Sequence, residues 1–186
     1  MGQVIDNLRA EIGKLHRESL DKSGSTDHPE RRYFVNVEAL KTLFTREIIA
    51  EAIKECNVKD YERPAVANRI FTEGKVVFGI LIWRKWHRKL QSFIEHNTLD
   101  KQLPLDEEQA KAIAGTSGFG LEFARKAQWE FLPRILTKEM SGYHCHFRDE
   151  EVLPFVAETE LGEGTFGEVT KISVMPSLQT IFPKSV

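Results

Sequence analysis

Three glycines near the C-terminal end, Gly162, Gly164 and Gly167, are the residues whose type and spacing point most directly to chemistry. They stand in Leu161-Gly162-Glu163-Gly164-Thr165-Phe166-Gly167-Glu168-Val169. Glycine lets main-chain N–H groups approach an oxyanion that a Cβ would hold off, and it accepts φ > 0 at a tight turn. The chemistry on offer is the cradling of phosphate oxygens by backbone amides. A bare G-x-G-x-x-G fits two arrangements, and the flanks separate them. A dinucleotide-binding turn opens a helix after its last glycine. Here Glu168-Val169-Thr170-Lys171-Ile172-Ser173-Val174 alternates apolar and polar with β-branched residues, which predicts a strand. Phe155 to Leu161 predicts another before the turn. Strand, glycine turn, strand is the expectation; an ordinary glycine-rich hairpin is the plain alternative.

Other candidates carry less. Gly115-Thr116-Ser117-Gly118-Phe119-Gly120 lacks the Gly-Lys-Ser/Thr of a phosphate loop and reads as a connecting loop. His144-Cys145-His146 would place both histidines on one face of a strand, and two ligands without a second pair do not make a zinc site. Trp83-Arg84-Lys85-Trp86-His87-Arg88-Lys89 has the composition for RNA or an acidic lipid surface. The reading preferred is a helix with one buried tryptophan and a solvated basic face.

The pattern L-G-x-G-x-F-G-x-V resembles the glycine-rich loop that covers the nucleotide in eukaryotic protein kinases. The resemblance implies ATP with Mg2+ as cofactor and Leu161, Gly162, Gly164, Thr165, Phe166, Gly167 and Val169 as nucleotide-binding residues. Phe166 would sit at the tip of the turn and Val169 against the adenine. A wider stretch, Arg32 to Phe155, resembles the region preceding the kinase domain in a group of fungal serine/threonine-type protein kinases. That likeness runs through Ile70-Phe71, Phe78-Gly79-Ile80-Leu81, Leu99-Asp100-Lys101-Gln102-Leu103-Pro104, Gln128-Trp129-Glu130-Phe131-Leu132-Pro133 and Val152-Leu153-Pro154-Phe155. It implies a helical region with a role in recruitment or autoinhibition ahead of a kinase lobe.

The departures are as telling as the matches. No His-Arg-Asp and no Asp-Phe-Gly occurs. Lys184 stands where the strand lysine of a kinase could fall, but in Phe182-Pro183-Lys184, and proline cannot donate to a central strand. The resemblance therefore implies a kinase domain that stops after two strands, with no catalytic residue to name. The expectation is that this polypeptide alone binds ATP weakly or not at all and does not transfer phosphate. The alternative is a non-catalytic helical interaction module with a vestigial hairpin.

The elements that must carry the glycine turn are mostly helical. Val4, Leu8, Ile12 and Leu15 predict an amphipathic helix over 3–20, followed by a polar loop from Lys22 to Pro29. After an extended Tyr33-Phe34-Val35, Asn36 caps a helix bearing Val37, Leu40, Leu43 and Phe44. Thr45 caps another with Ile48, Ile49, Ala52 and Ile53. Pro64 suits the first turn of a third, through Val66 and Ile70, and Gly74 divides it from the next segment. Val76 to Trp83 is a buried piece, helix or strand. Leu90, Phe93 and Ile94 form a last stripe before Asn97. Leu103-Pro104-Leu105 breaks the chain, and Asp106-Glu107-Glu108-Gln109 is an acidic first helical turn. Phe123, Ala127 and Phe131 mark a helix ended by Pro133. The fold class expected is mainly α with a short antiparallel β-hairpin. Its parts are an N-terminal helix and loop (1–28), a helical domain (29–150) and a kinase-lobe fragment (151–186). The hairpin, two strands by itself, is expected to be poorly anchored unless it packs on the helices.

Composition agrees with an ordinary globular chain. Of 186 residues 41% are hydrophobic and 29% charged, with a net charge of −2, which gives no electrostatic case for nucleic acid. Two cysteines, Cys56 and Cys145, suggest no disulfide framework, so an intracellular, reducing compartment, the cytoplasm by default, is expected. The N-terminus has no apolar signal core, and Met1-Gly2 is followed by Asp6 where a myristoylation start wants Ser or Thr. Phe78 to Trp83 is too short to span a bilayer. A protein partner is expected through the helical region, and no nucleic acid or membrane.

Overall fold

The computed structural model describes residues 2–20, 32–115, 117–140, 142, 144–164 and 167–181. The polar loop expected at Lys22 to Pro29, the turn residues Thr165 and Phe166, and Lys184 lie outside the described residues. The architecture is mainly α: eight α-helices and two antiparallel two-stranded sheets among the described residues.

The core is organised around a helix that is apolar on every side. Helix α5 (Lys75–Trp83) buries every residue from Val76 to Ile82, as a helix must when neighbours surround it. Of the two conformations the sequence left open there, it adopts the helix. Around it lie α1 (Gln3–Leu15), α2 (Val37–Leu43), α3 (Arg46–Ile53), α4 (Arg63–Glu73) and α6 (Leu90–Glu95). They contribute Ile5, Leu8 and Ile12, then Leu40, Ile49 and Ile53, then Ile70 and Phe93 to one continuous cluster. The predicted caps are present. Asn36 Oδ1 accepts the Ala39 amide at 3.1 Å, and Thr45 Oγ1 accepts that of Ile48 at 3.3 Å. Asp106 and Gln109 form a reciprocal capping box at the start of α7 (Glu107–Ala114).

Three expectations are corrected. Helix α1 does not reach residue 20. Its apolar period ends at Leu15, and His16–Ser19 becomes strand β1, paired antiparallel with β2 (Arg32–Val35), His16 opposite Val35. The strand ladder takes the amides that a longer helix would have used. The segment 115–120 is not all loop, because Ser117–Glu122 is helix α8. The helix read over Phe123, Ala127 and Phe131 is a π-turn, Phe123–Ala127, closed by Gln128 N–H to Phe123 O at 3.3 Å. All three of those side chains are buried, so the face was right and the winding was not. The wider turn leaves Ala124 O free for side chains. It accepts Gln128 Nε2 at 2.8 Å and Trp129 Nε1 at 2.7 Å. Gln128, wholly buried, also exchanges two hydrogen bonds with the Leu105 backbone, at 2.8 and 2.7 Å, and is fully satisfied.

Candidate functional site

The glycine turn joins two long strands. Strand β3 (Phe155–Gly164) pairs antiparallel with β4 (Gly167–Val174), Gly164 opposite Gly167 and Gly162 opposite Val169. The backbone after Gly167 is extended, which excludes the dinucleotide-binding turn, where a helix is required. The register shifts between Glu160 and Gly162, and Gly162 has φ +152°, a conformation that L side chains rarely adopt. A Cβ there would meet open space, so the backbone and not crowding calls for glycine.

The base of the hairpin is fastened not to the helices themselves but to the end of β1 and to the segment that follows the π-turn, so it is anchored without packing on the helical faces. Ser19 Oγ donates to Leu153 O at 2.6 Å and Leu20 N–H to Phe155 O at 3.0 Å. Leu136 N–H donates to Leu178 O at 3.0 Å, and Thr180 N–H returns to Leu136 O at 2.8 Å. Phe34, Trp129, Val152 and Leu178 form a small apolar cluster at this seat. Further out the apolar residues are uncovered: Leu161 is 64% and Val169 58% exposed. Between Phe155 and Val174 stand four glutamates (Glu158, Glu160, Glu163, Glu168) and one lysine, Lys171. That balance opposes a polyphosphate.

A second assembly, which the sequence reading missed, centres on Glu130. Its carboxylate accepts Arg84 Nη2 at 2.6 Å and Trp83 Nε1 at 3.1 Å, with His16 Nε2 at 3.3 Å. The His16 ring stacks on Trp83, centroids 4.1 Å apart. Beside it opens a cleft of about 820 Å³ whose lining includes Tyr33, Arg84, Leu121, Glu122, Arg125 and Glu130. Arg84 reaches Glu122 as well, at 3.4 Å. Glu130 is thus engaged in orienting Arg84 and Trp83, and it ties α1, β1 and α5 together. The only signal in the sequence was an acid flanked by two apolar aromatics, Trp129 and Phe131.

The other candidates take plainer roles. The basic aromatic stretch is not the single helix expected: α5 ends at Trp83, Lys85 turns left-handed, and His87–Lys89 is a 3-10 turn. Trp83 and Trp86 are both half-buried and pack on the core, Trp86 against Phe119 at 4.7 Å, while Lys85 and Arg88 are exposed. His144 and His146 are exposed, their ring centroids 5.2 Å apart, on backbone that is not a strand. Among the described residues no group of three or more His, Cys, Asp or Glu is placed to hold a metal, and no helix is long and apolar enough to cross a membrane. Compared with known proteins, the chain matches no family model, no curated protein and no solved structure.

Proposed function

We propose that this chain carries the nucleotide-covering hairpin of a serine/threonine-type protein kinase on a helical domain that docks a protein partner, and that by itself it does not transfer phosphate. The observation that supports the reading is the pair of extended strands meeting at Gly164 and Gly167 with Leu161 and Val169 uncovered. A nucleotide roof needs apolar residues free to meet a base. Between Phe155 and Val174 the roof carries one cation, Lys171, against four glutamates, a balance that does not offset phosphate charge. Titration of the purified chain with Mg-ATP tests the inactive half of the proposal. Affinity weaker than about 1 μM, roughly −8 kcal/mol, is expected; tighter binding, or phosphate transfer to a protein, overturns it. Sequencing of the transcript tests the kinase half. An in-frame continuation into Val-Ala-x-Lys, His-Arg-Asp and Asp-Phe-Gly is expected, and a stop codon directly after Val186 overturns it.

One observation favours the second reading, a non-catalytic helical interaction module. Among the described residues the main core cluster includes none beyond Leu132, so the helices bury their apolar faces without the described part of the hairpin.

A further inference from the structure

Two cations converge on one aromatic ring where α2, α3, α4 and α5 meet. The guanidinium carbon of Arg46 lies 4.1 Å from the centroid of the Phe71 ring, and Lys75 Nζ lies 4.3 Å from the same centroid. Arg46 is exposed at the start of α3, while Phe71 and Lys75 are half-buried. Lys41, exposed in the last turn of α2, brings its carbonyl to 2.7 Å from Lys75 Nζ. Arg46 donates to a neutral acceptor, Asn68 Oδ1, at 2.8 Å. Neither Arg46 nor Lys75 has a carboxylate within ion-pair distance among the described residues.

The neighbouring acids are occupied. Glu38 faces Lys41 Nζ at 3.1 Å. Glu47 turns back to its own amide and the Thr45 hydroxyl. Asp100 is taken up by the amides of Val76 and Val77. Burial, then the charges of Arg46 and Lys41, hold the Lys75 ammonium below the ordinary lysine range, and no carboxylate acts against them. One ring face attracts a cation, but two cations over one ring repel each other, and the arrangement lacks its anion.

We propose that Arg46 and Lys75 over Phe71, with Lys41 at the rim, form a docking surface for a carboxylate-rich segment of a protein partner. A phosphate site would draw on a free guanidinium fork or on free amides, and the Arg46 fork already donates to Asn68 Oδ1. The amide of Ile48 at the start of α3 is held by Thr45, and those of Val76 and Val77 in α5 by Asp100. What is left is an open row of cations beside a half-exposed aromatic ring, which selects charge and apolar contact along an extended chain. The proposal rests on the helical-interaction part of the function above and not on the hairpin.

The test is fluorescence anisotropy of the full chain with a labelled short polyglutamate peptide, and with polyglutamine as the neutral control. Binding of polyglutamate alone is expected, weakened about tenfold in Arg46→Gln and again in Lys75→Gln, and abolished by added salt. The 13Cε resonance of Lys75 should titrate at higher pH with the peptide bound than without it. Arg46 is exposed, so Arg46→Gln stays readable even if Lys75→Gln loosens α5. No binding, binding unchanged in the double variant, or displacement by inorganic phosphate at equal concentration each overturns the proposal. Mg-ATP titration of the same variants reads the hairpin separately, so the two failures are distinguishable.

Discussion

The carboxylate of Asp100 accepts the main-chain N–H of Val76 at 3.0 Å and of Val77 at 2.9 Å, and so caps from 24 residues away a helix whose own N-cap, Gly74, has no side chain. Glu55 does the same for α1 across 51 residues, taking the amides of Val4 and Ile5 at 3.1 and 3.0 Å. Both helices begin where the local sequence supplies no side-chain cap, and a distant carboxylate satisfies the orphan donors.

Asp100→Ala should therefore destabilise the fold by about 2 kcal/mol, the sum of a lost cap and an unsatisfied pair of amides. Burial holds the Asp100 carboxyl above the ordinary aspartate range, with the amides of Val77 and Val76 pulling the other way. A carboxyl that keeps its proton more tightly folded than unfolded favours the folded state at low pH. That advantage is lost as pH rises from the ordinary aspartate value through the raised one. Asp100→Asn should flatten this part of the stability curve while costing less than Ala. Urea denaturation of the three proteins across that pH window is the measurement.

Lys85 occupies the left-handed position that ends α5, with φ +60°. Its amide bonds Ile82 O at 3.1 Å and that of Trp86 bonds Leu81 O, the two closing bonds of a Schellman motif. Glycine takes this position without the Cβ penalty, so Lys85→Gly should raise stability by about 1 kcal/mol, or roughly 2–4 °C in Tm. Asn97, at φ +52° after α6, is a residue type that tolerates the conformation, and Asn97→Gly should change little. Thermal unfolding of both variants separates the cases.

The helices, their caps and the extended hairpin strands were legible because each rests on local pattern: Asn36 and Thr45 before apolar stripes, β-branched alternation after Gly167. The fold's long-range ties were not. Nothing near Asp100, Glu55 or Glu130 in the chain announces the amides and cations that those carboxylates meet in space. The glycines of 115–120 misled for the same reason. Gly115, at φ +70°, ends α7, and a Cβ on Gly120 would lie 2.8 Å from the Lys111 amide nitrogen. Local composition reads as loop what tertiary contact requires as a close crossing of α7 and α8. Gly120→Ala should accordingly cost about 1–3 kcal/mol by forcing the helices apart, whereas Gly118→Ala, which meets open space, should not. Chemical denaturation of the pair decides it.

Cys56 is buried in the core with its thiol donating toward Ala52 O at 3.5 Å. Burial, reinforced by the charge of Glu55, pushes the thiol up to about 12. The thiolate is the reactive form, so Cys56 should resist alkylation in the folded chain. Iodoacetamide at neutral pH should label Cys145, which is half-buried, and reach Cys56 only in denaturant. Peptide mapping by mass spectrometry reads both sites at once.

Trp129 links the π-turn to the seat of the hairpin. Its indole nitrogen bonds Ala124 O, and its ring packs with Phe34, Val152 and Leu178. Trp129→Ala should cost about 3–5 kcal/mol locally, because it opens the cluster and leaves Ala124 O to Gln128 alone. Phe at the same position keeps the packing and loses only the hydrogen bond, so it should cost about 1 kcal/mol. Among the described residues, Leu132 is the one side chain that packs against both the helical core and the cluster at the hairpin's seat. Hydrogen exchange in Trp129→Ala should therefore quicken at the amides of Leu136, Met175 and Thr180, while those of Ile80 and Leu81 in α5 keep their protection. Equal loss at both sets would mean that hairpin and helices open as one unit. The roof would then be an integral part of the helical fold, and not an element seated on it.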